Sequence, residues 1–220
     1  MKRTMEFSTK KVIFYFLGFF ILGLGVILML RANLGAGPWD TVTANLEALI
    51  DKYLFDVTLG MVSFVIAFFM MGAVLFYTKK WILLGMIFPI GLVALSIDFW
   101  DLIGLGTWEP QVIGLRIIIS FAGGVLIPLG LSFIIASHFP AFVFDELTIM
   151  LMNITKIKSM TLIRIGIEAL GISLGTLFGF LAGIDFGAVG IASIIVVLML
   201  PPLLEFFLKQ LGELKDEDTN

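Results

Sequence analysis

The chain has 220 residues, of which 60% are hydrophobic and 14% are charged, and its formal net charge is -3. A composition this apolar excludes an ordinary water-soluble domain. The acidity comes mainly from the tail at 213–218 and says little about partners, and we expect no nucleic-acid surface. The absence of cysteine excludes disulfides and thiolate metal sites.

Long apolar runs are the main structural signal. Lipid offers the backbone no hydrogen bonds, so such runs must cross a membrane as helices, each of roughly 20 residues. The first run exceeds the usual core of a signal peptide and no good small-residue cleavage site follows it, so we expect it to be retained. The runs predict six transmembrane helices, at 12–30, 57–77, 81–100, 117–137, 160–184 and 186–207.

The segment after the first span reads LGAGPWD at 34–40. Its glycines allow unusual backbone angles, and Pro38 prevents the first helix from continuing. Asp40 precedes an apolar stripe at helical spacing, which places it as the N-cap of a short amphipathic or re-entrant helix. The alternative is that Asp40 takes up a proton or a cation during transport.

Arg31 and Trp39 flank this break on its two sides. Arg31 ends the first span, where a long basic side chain is expected to reach the headgroups. If the following segment folds back into the protein, Arg31 could instead pair with Asp40. Trp39 suits an aromatic belt at the membrane interface, but it adjoins the break and so stays a candidate site residue.

A similar segment, ASHFPAFVFDELTIMLMNI at 136–154, follows the fourth span. When the two segments are laid over each other, Asp145 falls on Asp40 and Phe144 falls on Trp39. An amphipathic pattern follows each aspartate. Each half of the chain therefore consists of a span, a break, a short helix and two further spans.

Three spans per half require the second half to insert upside down. The sequence thus predicts an all-α membrane protein, with six transmembrane helices forming two inverted three-helix repeats and short amphipathic or re-entrant helices after spans 1 and 4. Residues 1–110 form the first repeat and 111–208 the second, within one integral membrane domain. Residues 209–220 form a charged cytoplasmic tail. Such repeats with interrupted helices are typical of secondary transporters.

The fifth span carries two charges, Arg164 and Glu168, four residues apart on one helix face. They could form an ion pair that only holds helices together. The functional alternative makes Arg164 a substrate contact and Glu168 its switchable partner. Together the candidates for a substrate or ion pathway are Arg31, Trp39, Asp40, Asp145, Arg164 and Glu168.

The distribution of lysine and arginine predicts the orientation. With the N-terminus in the cytoplasm, Arg31, Lys52 and Arg116 lie outside and the other basic residues of the loops and termini lie inside. Both termini are therefore predicted in the cytoplasm, which agrees with an even number of spans.

The stretches GLGVILMLRANLGAGPWD and FDELTIMLMNITKIKSMTLIRIGIEALGISLG resemble the YczE/YyaS/YitT family of bacterial integral membrane proteins. The resemblance covers nearly the whole chain. Its most specific part consists of two sets of residues, one in the break and one in the fifth span: Leu34, Gly35, Pro38, Trp39 and Asp40, and Arg164 and Glu168. It implies a protein of the bacterial inner membrane, for which export or uptake of small molecules is suspected.

Two functions stay open at this point. The first is a secondary transporter or transporter-like carrier of an unknown small molecule. The second is a nontransporting accessory protein that binds another membrane protein or a lipid. The sequence contains no recognisable catalytic motif, so we expect no enzyme and no cofactor. A homodimer within the lipid bilayer is compatible with either function.

Overall fold

The computed structural model describes residues 8–140 and 143–213, except for the side chain of Asp145. Its regular structure is helical. A short 3₁₀ helix, Trp81–Met86, precedes the helix Ile87–Trp100, and a short π-helix, Asp101–Leu105, follows it. The helices are α1 (Thr9–Ala32), α2 (Pro38–Tyr53), α3 (Leu59–Thr78), α4 (Ile87–Trp100), α5 (Ile113–Ala136), α6 (Val143–Thr155), α7 (Met160–Ala182) and α8 (Ile191–Gln210).

Six of the described segments are long and apolar enough to cross a membrane: α1, α3, α5, α7, α8 and the stretch Trp81–Leu105 that contains α4. The all-α, six-span prediction is confirmed. The sixth span begins at Ile191 rather than at 186. Three residues in the left-handed backbone region, Gly183, Asp185 and Gly187, turn the chain before that helix starts.

The centre of the fold is the close contact between α1 and α5. Gly18 lies against Gly130 and Gly25 lies against Gly123, so the two helices run in opposite directions. A Cβ atom on Gly18 would lie 2.7 Å from the carbonyl oxygen of Gly130, and one on Gly123 would lie 2.7 Å from that of Gly25. Glycine at all four positions lets the two backbones touch.

The short helix α2 packs lengthwise against α7. Its Pro38, Thr41 and Asn45 lie against a row of α7 glycines at 171, 175 and 179, in the same order, so the helices are parallel. Gly171 lies halfway along α7. The helix α2 therefore starts beside the middle of a span and runs to its end, where the Lys52 ammonium donates to the carbonyl of Ala182 at 2.6 Å. This position beside a candidate span is compatible with the predicted re-entrant helix.

The other short helix, α6, packs against α3, so the short helix of each predicted half lies on the second span of the other half. Within each predicted half, the first span packs against the third, α1 against α4 and α5 against α8. Gly18 and Gly123 are separated by as many residues as Asp40 and Asp145, and so are Gly25 and Gly130. The inverted repeat stays a prediction, and these pairings support it.

The two halves also differ. The spans α3 and α4 pack against each other, whereas a groove lies between α7 and α8. This difference opens the second half on one side.

Candidate ligand cavity

A cavity of about 240 Å³ lies at the centre of the described helices, and all eight of them contribute to its wall. Most of the wall is apolar. The exceptions are on α2, α3 and α7, and they are Trp39, Asp40, Thr43, Ser63, Arg164 and Glu168. The structure thus brings together four of the six candidate site residues, from two helices belonging to different predicted halves.

Asp40 is the third residue of α2, not its N-cap. The N-cap is Gly37, and Pro38 takes the first helical position. Proline suits that position because its fixed backbone angle is helical and its missing N–H has no partner there. The predicted capping position was therefore wrong. The Asp40 carboxylate lies close to Gly37, where a Cβ atom would be 2.5 Å from Oδ2, and the positive end of the helix dipole favours its charge.

Arg164 and Glu168 occupy one face of α7, one helical turn apart. Both side chains line the central cavity and also the groove between α7 and α8. Ionisable groups inside a span are expensive to maintain and normally face a protein interior or a polar space. The position of both residues at the cavity follows this rule.

The rings of Trp39 and Phe144 lie against each other, with centroids 5.6 Å apart. These residues correspond in the predicted repeat, so the two halves meet at this pair. The Trp39 Nε1 is buried and has no hydrogen-bond partner among the described residues. The wall of the cavity therefore offers an aromatic surface together with an unused donor.

Arg31 lies away from the cavity. Its guanidinium pairs with Asp101 at 2.6 Å rather than with Asp40. It belongs to a separate pocket of about 390 Å³, together with Asn33, Glu109 and Arg116. The reason is its place on the last turn of α1, which ends beside the π-helix that follows α4.

Asp145 lies in α6, but its side chain is outside the described part of the structure. The predicted correspondence between Asp145 and Asp40 stays a prediction.

Asn45 was not singled out from the sequence. Its side-chain amide donates to the carbonyls of Gly175, at 2.8 Å, and Phe186, at 3.0 Å, and its oxygen accepts the N–H of Ala188 at 2.8 Å. It thereby fixes α2 to α7 and to the turn before α8. The only signal in the sequence is its spacing from Pro38 and Thr41, which places all three on one helix face.

Comparison with known proteins shows the family to which this chain belongs. The residues 9–209 match a family described as "Family of unknown function (DUF6198)". The chain belongs to this DUF6198 family. The match to DUF6198 includes all the described residues that line the cavity.

Two relatives come from Bacillus subtilis (strain 168). The uncharacterized protein YyaS is 27% identical over 199 residues, which are 90% of this chain and 92% of YyaS. The uncharacterized membrane protein YczE is 30% identical over 125 residues, which are 54% of this chain and 56% of YczE. The predicted resemblance to the family of YczE and YyaS is confirmed. No solved structure matches this DUF6198 chain.

Proposed function

We propose that this protein is a secondary transporter or transporter-like carrier of a small molecule across the bacterial inner membrane. One observation carries the proposal. The central cavity is walled by helices of both predicted halves, and Asp40, Arg164 and Glu168 meet there. Secondary transporters built from inverted repeats place their sites at the interface between the repeats, where broken helices expose their ends.

The helix α2 supports this proposal because it begins beside the middle of α7 and presents its N-terminus to the cavity. Carboxylates at this place could exchange protons, which would couple transport to an ion gradient. We propose a carrier rather than an enzyme, with both termini in the cytoplasm. A homodimer is compatible with the proposal and is not required by it.

The test is a transport assay in proteoliposomes that enclose a pH-sensitive dye and are energised by a pH gradient. A panel of small organic cations, anions and zwitterions is added one at a time. We expect the wild-type protein to move protons with at least one compound, and Glu168→Gln to lose this coupled flux. Glu205→Gln is the matched control, because Glu205 forms an exposed ion pair with Lys209 at 3.2 Å, outside the cavity.

No transport and no proton flux, from protein that is folded and reconstituted, would count against the carrier. The second candidate, an accessory protein, is favoured by the groove between α7 and α8, which leaves Arg164 and Glu168 accessible from the side. It predicts a membrane partner that co-purifies with the wild type and is lost when Thr161 in the groove is replaced by tryptophan. Purification without any partner would count against it.

A further inference from the structure

A groove between the candidate spans α7 and α8 lies beside the central cavity. The groove has a volume of about 310 Å³. Its wall shares Pro38, Arg164, Glu168, Val196 and Leu200 with the cavity, so the two spaces adjoin. Beyond the two charged residues and Thr161 the described wall is apolar. Displacement of the shared side chains would open a path from the bilayer to the charged centre that does not cross water.

The described wall of the cavity carries more acidic than basic side chains. Among the described side chains of the wall, Asp40 on α2 and Glu168 on α7 are acidic, and Arg164 on α7 is the only base. The described residues that the other six helices contribute carry no ionisable group. A carboxylate left over in a poorly hydrated space is unstable unless it binds a proton or a cation.

The rest of the wall indicates which kind of cation suits this space. A hard metal ion requires a shell of roughly six oxygen ligands, and apart from the two carboxylates the described side chains offer only the hydroxyls of Thr43 and Ser63. An organic cation needs no such shell. It gains from aromatic faces, which Trp39 and Phe144 supply, and from the apolar surface around them.

We propose that the cavity binds a small lipophilic organic cation, which enters from the bilayer through the groove between α7 and α8 and competes with a proton for Asp40 and Glu168. This inference rests on the proposed function and names its substrate class. Binding the cation releases a proton from a carboxyl group, and protonation of that group releases the cation. Exchange of the two at one site is sufficient to couple their movements across the membrane.

The test uses two probes of equal size and opposite charge, benzyltrimethylammonium and benzylsulfonate, with the purified full chain in lipid nanodiscs. Equilibrium binding of the radiolabelled cation is measured across a range of pH. We expect the cation to bind with an affinity that falls as the pH is lowered, because protonated carboxyl groups no longer attract it. We expect benzylsulfonate not to compete.

Variants assign this binding to the cavity. Asp40→Asn should weaken binding of benzyltrimethylammonium by about tenfold or more, because it removes the charge and keeps the shape. Asp40→Glu should retain most of the affinity, and the control Glu205→Gln should leave it unchanged. If Asp40→Asn does not fold, Glu168→Gln gives the same comparison. If neither variant folds, the pH dependence of cation binding by the wild type tests the proposal.

Three results would overturn the inference: binding of benzylsulfonate that depends on Arg164, absence of cation binding by monodisperse protein, or cation binding that is the same at all pH values. The proposed function can fail separately. Cation binding without transport in proteoliposomes would contradict the proposed carrier function but support the proposed cation site. Transport of an anion would support the proposed carrier function but contradict the assignment of an organic cation as its substrate.

Discussion

Asn45 joins three segments of the chain with one side chain. Its hydrogen bonds reach Gly175 on α7 and both Phe186 and Ala188 in the turn before α8. The side chain is buried, with 1% of its surface exposed. If the amide is removed, water cannot replace it at these backbone groups, and unpaired buried polar groups are destabilising.

We predict that Asn45→Ala lowers the free energy of unfolding by about 1–3 kcal/mol. The measurement is thermal or denaturant unfolding of the purified protein in detergent. Asn153→Ala is the matched control, since Asn153 is an exposed asparagine near the end of α6. Equal stability of Asn45→Ala and the wild type would mean that the three hydrogen bonds contribute nothing in solution.

At the residue scale, the site residues that could be predicted from the sequence are the charged ones in or beside apolar spans. Arg164 and Glu168 are conspicuous for that reason, and Asp40 is conspicuous because it follows a helix-breaking segment. Asn45 and Ser63 could not be found in this way. Single neutral polar residues are common in helices, and their roles depend on partners far away along the chain.

At the scale of elements, the contact between α1 and α5 requires small residues. A Cβ atom on Gly130 would lie 2.6 Å from the carbonyl oxygen of Gly18 and 2.8 Å from the backbone nitrogen of Leu22. Neither backbone atom can move aside without separating the helices. A side chain at this position must therefore widen the centre of the fold.

We predict that Gly130→Val destabilises the protein by about 1–3 kcal/mol or more and reduces the monodisperse fraction in size-exclusion chromatography. Gly72→Val is the matched control, because a Cβ atom on Gly72 of α3 meets nothing within 4 Å. The helix propensity changes equally in both variants. A similar loss in both would attribute the effect to propensity rather than to packing at the contact between α1 and α5.

The groove between α7 and α8 can be closed by a cross-link. The sequence has no cysteine, so Ile165→Cys and Val197→Cys introduce two thiols on opposite sides of the groove. We predict that a short bifunctional maleimide slows the binding of benzyltrimethylammonium from lipid by about tenfold or more, as closure of a gate does. The unreacted double variant is the control. Unchanged binding after complete cross-linking would show that the cation uses another route.

The elements themselves were largely predictable from length and hydropathy, because a span requires a long apolar run. The start of the sixth span was not. The stretch 186–190 is as apolar as a helix, but the left-handed residues at Gly183, Asp185 and Gly187 turn it back along Asn45. Apolar composition gives no information about that turn.

At the scale of the whole molecule, the orientation in the membrane is the largest untested prediction. The distribution of basic residues predicts that both termini lie in the cytoplasm. The loop before α5 should then be outside, and the loop between α6 and α7 should be inside. Glu109 and Lys158 are exposed residues in these two loops and suit labelling.

We predict that an impermeant maleimide reacts with Glu109→Cys in intact cells and reacts with Lys158→Cys only after the membrane is permeabilised. The native chain has no thiol, so labelling reports these positions alone. The cysteine-free parent controls for background. The reverse pattern would place both termini outside and invert the proposed direction of every helix.

The contact between Trp39 and Phe144 has a consequence for the energetics of the proposed carrier. If two inverted halves were identical, exchanging their conformations would give inward-open and outward-open forms of equal free energy. The predicted halves of this chain differ where they meet, with tryptophan facing phenylalanine, and they differ again where α7 stands apart from α8. Symmetry therefore does not make the two forms equal in free energy, and we expect the proposed carrier to prefer one of them when it is empty.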